Sequence, residues 1–204
     1  RDILDNRTFP FMDKNSEVYF ISGVCGAGKS SVLKHLKELL PANEYDIRDF
    51  DERGVPDGGG LEWHNKETLY WLDIATENAT KGKSTIIGGF AEPERFKKVY
   101  KSTEHPTATL FLLHASGDTI RKRLIGRYPT SESIEEINRA SGVPLNQFVE
   151  NNASYAPELR AIFEKENAPI IETDAKTAEE VAQEITNQIL GKSGSNTGFR
   201  TYLS

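Results

Sequence analysis

The sequence predicts an α/β domain in three layers, a five-stranded parallel sheet with helices on both faces and an added helical lid. Short β-rich runs alternate with helical periodicity along most of the chain, and the first strand runs into a glycine-rich turn that opens a helix. Length agrees, because 204 residues with 37% hydrophobic content suffice for one ordinary core.

Residues 18–22 form a compact β-rich run, and residues 30–40 place Val32, Leu33, Leu36, Leu39 and Leu40 at helical spacing. Pro41 stops that helix. Residues 45–49 read as a second strand. A loop with Pro56 and the glycines Gly58, Gly59 and Gly60 leads to a helix over about 65–81. Residues 84–88 are a third strand, 93–102 a helix, and 108–114 the longest strand. A short cationic helix follows at 118–127. The stretch 130–166 is helical but broken at Gly142, Pro144 and Pro157, and it is longer than a strand-to-strand crossover needs. Residues 169–173 are the last strand, and 177–190 the last helix, opened by a capping box of Thr177 and Glu180. The domain is expected over 17–190, with a leader at 1–16 and a flexible, Gly/Ser/Asn/Thr-rich tail at 191–204.

Lys plus Arg number 25 against 31 for Asp plus Glu, a formal net charge of -6. A whole-surface field for nucleic acid is thereby excluded, and basic chemistry must be local. The lone cysteine, Cys25, allows neither an intramolecular disulfide nor a Cys-rich zinc site, which fits a reducing, cytoplasmic compartment. No apolar run approaches the roughly 18 to 20 residues of a membrane span, so no membrane partner is expected.

Gly23-Val24-Cys25-Gly26-Ala27-Gly28-Lys29-Ser30 fits the phosphate-binding loop pattern, between a strand and a helix as the mechanism requires. Glycines let backbone N–H groups turn inward around phosphate oxygens, and the helix start, continuing through Ser31, adds its positive end. The Lys29 ammonium bridges the outer phosphates, and Ser30 is the expected Mg²⁺ ligand. Cys25 reads either as a small side chain that fits the turn or as a thiol whose alkylation blocks nucleotide binding.

Two further groups bear on what the cradle does. Arg123 and Arg127 stand four apart on one helix face, which suits a site where one guanidinium stacks on a base and the other stabilises a transferring phosphoryl group. Asp49 and Asp51, two apart at the end of a strand, point the same way at the carboxyl edge of the sheet. One carboxylate can hold Mg²⁺ through water while the other accepts the proton of an attacking hydroxyl. An acidic turn is the other reading, since Glu52 and Asp57 lie nearby. Trp63, His64, Tyr70 and Trp71 concentrate after the second strand, where rings can stack on a base or sugar. Trp71 reads as helix core. Trp63 and His64 follow the glycine run, hence a mobile loop, and are the acceptor-binding candidates.

Arg-Leu-Ile-Gly-Arg at 123–127, after a fourth strand, resembles the segment preceding the lid in adenylate kinase and other nucleoside monophosphate kinases. The resemblance implies a base-side role for Arg123, a catalytic role for Arg127, a lid over about 128–142 that closes against water, and a donor-base pocket between Arg123 and the loop starting at Asp174. Asp49-Phe50-Asp51 is similar to the Asp-x-Asp of shikimate kinase and to the acidic pair of gluconate kinase, which implies Asp49 as the metal-side residue and Asp51 as the base. The run Thr85 to Phe90 resembles the place where nucleoside monophosphate kinases have Asp-Gly-Phe-Pro-Arg, but Gly88 stands for the aspartate, and Pro93 and Arg95 come later. Paired glycines also occur there in shikimate kinase, where backbone approaches the acceptor. Gly88, Gly89 and Arg95 therefore join Asp51, Trp63 and His64 as acceptor-binding candidates, within a region over about 52–82. Together these resemblances, over about 18–190, imply the P-loop NTPase fold and an ATP- and Mg²⁺-dependent phosphotransferase in which Lys29, Asp51 and Arg127 act in catalysis. A small hydroxylated acceptor is slightly favoured over a nucleoside or nucleotide, and the chain is expected as a monomer or homodimer. A nucleoside monophosphate kinase and a regulatory ATPase or GTPase are the alternatives, the GTPase form weakened by the lack of an Asn-Lys-x-Asp motif.

Overall fold

The computed structural model describes residues 13, 15–57 and 59–194. Five parallel strands, β1 (Glu17–Ser22), β2 (Tyr45–Asp49), β3 (Ser84–Gly88), β4 (Thr107–His114) and β5 (Ile170–Glu172), pair in the order β2-β3-β1-β4-β5. Central β1 is buried from Val18 to Ser22, as expected for a strand covered on both faces. Helix α1 (Lys29–Leu39) packs with α7 (Ala178–Gly194) over one side. On the other, α2 (Leu61–Thr80) packs with α3 (Pro93–Val99), and α4 (Gly117–Arg127) packs with α6 (Leu145–Lys165). Right-handed crossovers between parallel strands place the two groups on opposite faces. Helix α5 (Ser131–Ser141) buries no residue fully and packs on α6. With β3 on one side of β1 and β4 on the other, a crevice opens at the carboxyl end of β1, the place where open α/β sheets bind ligands.

Several boundaries differ from the sequence reading, each for a local reason. Helix α2 starts at Leu61, because Gly60 at φ 117° turns the chain directly into the helix. Trp63 and His64 therefore lie on its first turn and not in a mobile loop. Helix α3 stops at Val99, where Tyr100 turns extended. Gly142, at φ 73°, ends α5, and Pro144 precedes α6, so those two breaks are where the sequence puts them. Pro157 breaks nothing. Helix α6 runs through it, and the Ala153 carbonyl that loses its usual donor faces Gly117 at the start of α4. A Cβ on Gly117 would lie 3.2 Å from that oxygen, so the glycine lets the two helices close at this turn. Helix α7 carries four residues into the expected tail, to Gly194. Of the leader only Asp13, Asn15 and Ser16 are described; 195–204 lie outside the described residues.

Candidate active site

The loop after β1 is held from several directions. The Ser22 hydroxyl donates to the Ala91 carbonyl at 2.7 Å and accepts from the Ala91 N–H at 2.9 Å, tying β1 to the segment after β3. A Cβ on Gly23 would come within 2.8 Å of the Leu113 carbonyl, and Gly26 and Gly28 adopt φ of 86° and 104°, where side chains are strained. Helix α1 then begins with no side-chain cap, which leaves its first N–H groups available to an anion. Lys29 Nζ donates to the carbonyls of Gly23 at 2.6 Å and Val24 at 3.0 Å. Enclosure by the protein pushes its pKa down, opposed by the Cys25 thiol and by Asp51 and Asp49.

Arg123 lies against the same loop. It donates to the carbonyls of Gly26 at 3.2 Å and Thr173 at 2.8 Å, and to the Thr173 hydroxyl at 3.0 Å. Asn152 of α6 fastens the loop from a third side, its Oδ1 accepting from the Cys25 N–H at 2.9 Å. The sequence reading did not include Asn152, and no local pattern marks an asparagine 127 positions away from the residue it holds.

The acidic pair stands opposite. Ser30 Oγ donates to Asp49 Oδ2 at 3.0 Å, and the Asp51 N–H donates to Asp49 Oδ1 at 3.1 Å. Phe50 between them turns into the core, so both carboxylates flank the cleft. Enclosure and the charge of Asp49 raise the Asp51 pKa above the ordinary 3.8, while Lys29 and His64 pull it back. The hard oxygens of Ser30 and Asp49 fit Mg²⁺, which takes few protein ligands beside phosphate oxygens and water. No group of three or more His, Cys, Asp or Glu able to hold a metal occurs among the described residues.

A cleft of about 480 Å³ brings together loop residues 25–31, Asp49, Asp51, Gly88, Arg123 and Arg127. Arg127 is exposed in it, and its side chain makes no hydrogen bond or ion pair among the described residues. Gly23 and Val24 start the loop without lining the cleft. Asp174 lies off the cleft: its carboxylate accepts from the N–H and hydroxyl of Ser116 at 3.0 Å and fastens the start of α4, while Lys176 and Val181 form the wall.

The remaining acceptor candidates Trp63, His64, Gly89 and Arg95 do not line the cleft. Trp63 meets Phe50 edge-on at 5.8 Å, and His64 stacks on Phe50 at 4.9 Å with its Nε2 donating to the Phe90 carbonyl at 2.7 Å. His64 and Arg95 instead border a small cavity with Asn65 and Glu92, beside the cleft. A Cβ on Gly88 would fall 2.6 Å from Leu33 Cδ1, and one on Gly89 would fall 2.3 Å from Phe50 Cβ. Packing within the chain thus requires both glycines. Trp71 is core, its Nε1 donating to the Phe50 carbonyl at 3.1 Å.

Burial lowers the pKa of His64, His105 and His114 below the ordinary 6.5. The unfolded chain therefore binds protons first as pH falls. Stability from these groups is complete above about pH 6.5 and declines from there toward the lower folded values. The melting temperature is expected to fall between pH 7 and 5.5, above the ordinary carboxylate range, and less steeply in His64→Asn. Calorimetry at constant ionic strength reads this, and a flat profile over that window would refute it.

No family model matches the chain, and no helix among the described residues is long and apolar enough to cross a membrane. A protein of Pyrococcus furiosus named "Putative adenylate kinase" is 30% identical over 172 residues, 83% of this chain and 82% of that protein. Shikimate kinase from Acinetobacter baumannii shares the fold at a TM-score of 0.53 and 18% identity, over 90% of this chain and 96% of that one. Shikimate kinase from Bacteroides thetaiotaomicron does so at 0.50 and 16%, over 86% and 98%. At these identities the two structures speak to the fold alone, whereas the Pyrococcus protein matches across most of both chains. With a phosphate cradle at the carboxyl end of β1 and that match, the chain belongs to the family of the Pyrococcus furiosus protein and is a small P-loop kinase.

Proposed function

We propose that the kinase moves the γ-phosphate of ATP, with Mg²⁺, to a hydroxyl group of a small acceptor. The observation that carries this reading is the Asp49–Asp51 pair in one cleft with Lys29 and Arg127, with Gly88 where a nucleotide kinase has its carboxylate. A hydroxyl must lose a proton as it attacks, so it gains from a base beside it. A phosphate oxygen is already anionic and gains nothing.

In this reading the loop amides and Lys29 hold the outer phosphates, and Arg123 and Asn152 keep the loop in shape. Ser30 and Asp49 would hold Mg²⁺, which neutralises charge on the phosphates when bound. Asp51 takes the hydroxyl proton, and Arg127 stabilises the charge that develops on the transferring group. The segment 128–142, built on α5, serves as a lid that excludes water. A nucleoside monophosphate kinase is the second reading, favoured by the name of the Pyrococcus relative and by the placing of Arg123 and Arg127.

ADP release measured with and without candidate acceptors tests this. ATP is expected to be consumed only when a hydroxyl acceptor is present. Steady hydrolysis that no acceptor changes counts against the reading, and conversion of AMP to ADP as the preferred reaction selects the second one.

A further inference from the structure

Asp49 and Asp51 stand on the least constrained part of the sheet. Strand β2 is an edge strand, paired with β3 alone among the described residues, and the chain beyond it turns into a stretch with Gly54 at φ 92°. Carboxylates that hold a cation or take a proton must nonetheless keep their place to within about 0.5 Å. The side chain between the two supplies the anchor.

Phe50 is 2% exposed. Its N–H donates to the Gly88 carbonyl at 2.9 Å, and its own carbonyl accepts from Trp71 Nε1. Gly89 leaves room for its Cβ, Trp63 meets its ring edge-on, and His64 stacks on the ring at 4.9 Å with 28° between the planes. A stacked ring is attractive over a range of offsets, whereas a hydrogen bond is directional. His64 supplies the directional contact as well, its Nε2 donating to the Phe90 carbonyl at 2.7 Å. Phe90 is followed by Ala91, whose N–H and carbonyl are both gripped by the Ser22 hydroxyl. Ser22 ends β1 immediately before the phosphate loop. One histidine that does not line the cleft thus connects the acidic turn to the strand end that carries the cradle.

Resting on the metal-side role of Asp49 proposed above, but not on the nature of the acceptor, we propose that His64 is a positioning residue for the acidic pair. Its Nε2–H locks Phe50 to the Phe90 carbonyl, so that Asp49 stays beside Ser30 and Asp51 stays in the cleft. A carbonyl oxygen only accepts, so Nε2 must carry the proton, and burial disfavours a second one on Nδ1. Partners that orient a metal ligand are typically worth about 10- to 100-fold in metal affinity, so loss of the lock is expected to show there.

AMPPNP is titrated into the full chain, once with EDTA and once with Mg²⁺, in wild type, His64→Phe, His64→Gln and Asp49→Asn. His64→Phe keeps a ring and loses the donor; His64→Gln loses the ring and keeps a donor at the reach of Nε2. The factor by which Mg²⁺ tightens AMPPNP is expected to fall at least about tenfold in His64→Phe and Asp49→Asn, with affinity in EDTA within about threefold of wild type, and to recover in His64→Gln. A wild-type factor in His64→Phe while Asp49→Asn loses it overturns the proposal and leaves the metal-side reading intact. A factor retained in both overturns that reading and the proposal with it. Equal loss of affinity with and without Mg²⁺ in His64→Phe marks a merely structural residue and overturns the proposal, as does a His64→Gln variant no better than His64→Phe. Imidazole nitrogen NMR on wild type gives a check that requires no variant to fold, with the His64 signals identified by their contacts to the Phe50 ring. The Nε2–H tautomer is expected at about pH 7.5, and an Nδ1–H tautomer or a doubly protonated ring overturns the proposal.

Discussion

Asp51→Asn is expected to lower kcat by about 10²- to 10⁴-fold while ATP affinity stays within about threefold of wild type. Asparagine keeps the shape and the backbone contact from the Asp51 N–H to Asp49, so the turn after β2 is undisturbed. What it loses is the capacity to take a proton and one negative charge beside Lys29. Loss of that charge removes one of the groups that hold Lys29 protonated, but it also removes a repulsion toward the polyphosphate, and the two effects on ATP binding oppose each other. The pH profile adds a separate signature. Asp51 works only when ionised, so wild-type kcat/KM falls as pH drops through its pKa, which enclosure and Asp49 raise above the ordinary 3.8. That acidic limb is expected to disappear in the variant along with most of the rate. Titration with MgAMPPNP separates binding from transfer, and full activity in the variant would remove Asp51 from the mechanism.

The parts of the site that the sequence made legible are those encoded by near neighbours. The cradle is one contiguous run between a strand and a helix. Asp49 and Asp51 follow the two-residue period, with Phe50 taking the core between them. Elsewhere local rules met tertiary context. Gly58 to Gly60 looked like a loop that continues, but Gly60 opens α2 at once, and this moved Trp63 and His64 onto Phe50. Pro157 signals a break, yet its freed carbonyl sits against a glycine of α4. Gly88 and Gly89 showed that a small residue was needed there; the pattern could not say whether a ligand or the chain's own Leu33 and Phe50 fills the space. Asn152 and the Arg123–Thr173 contact join residues 127 and 50 positions apart, which no periodicity records.

Arg123 and Arg127 share one face of α4 in sequence and are expected to fail differently. Arg127→Ala should lower kcat by about 10³-fold or more, the scale of an arginine that stabilises a transferring phosphoryl group, with little change in nucleotide affinity or melting temperature. The Arg127 side chain makes no hydrogen bond or ion pair among the described residues, so its removal breaks no such contact. Arg127→Lys should recover only part of the loss, because an ammonium supplies charge without the planar fork that matches phosphate oxygens. Arg123→Ala is the contrast. It strips donors from the Gly26 and Thr173 carbonyls and from the Thr173 hydroxyl, so both the melting temperature and nucleotide affinity should fall. A fully buried carbonyl left without a donor costs about 1–3 kcal/mol, and these part-buried ones cost less. Single-turnover transfer, MgAMPPNP titration and calorimetry on the three variants distinguish the outcomes. If Arg127→Ala weakens nucleotide binding while leaving kcat unchanged, Arg127 serves the ground state, and the stabilisation of the transferring phosphate must come from Lys29 and the loop amides alone.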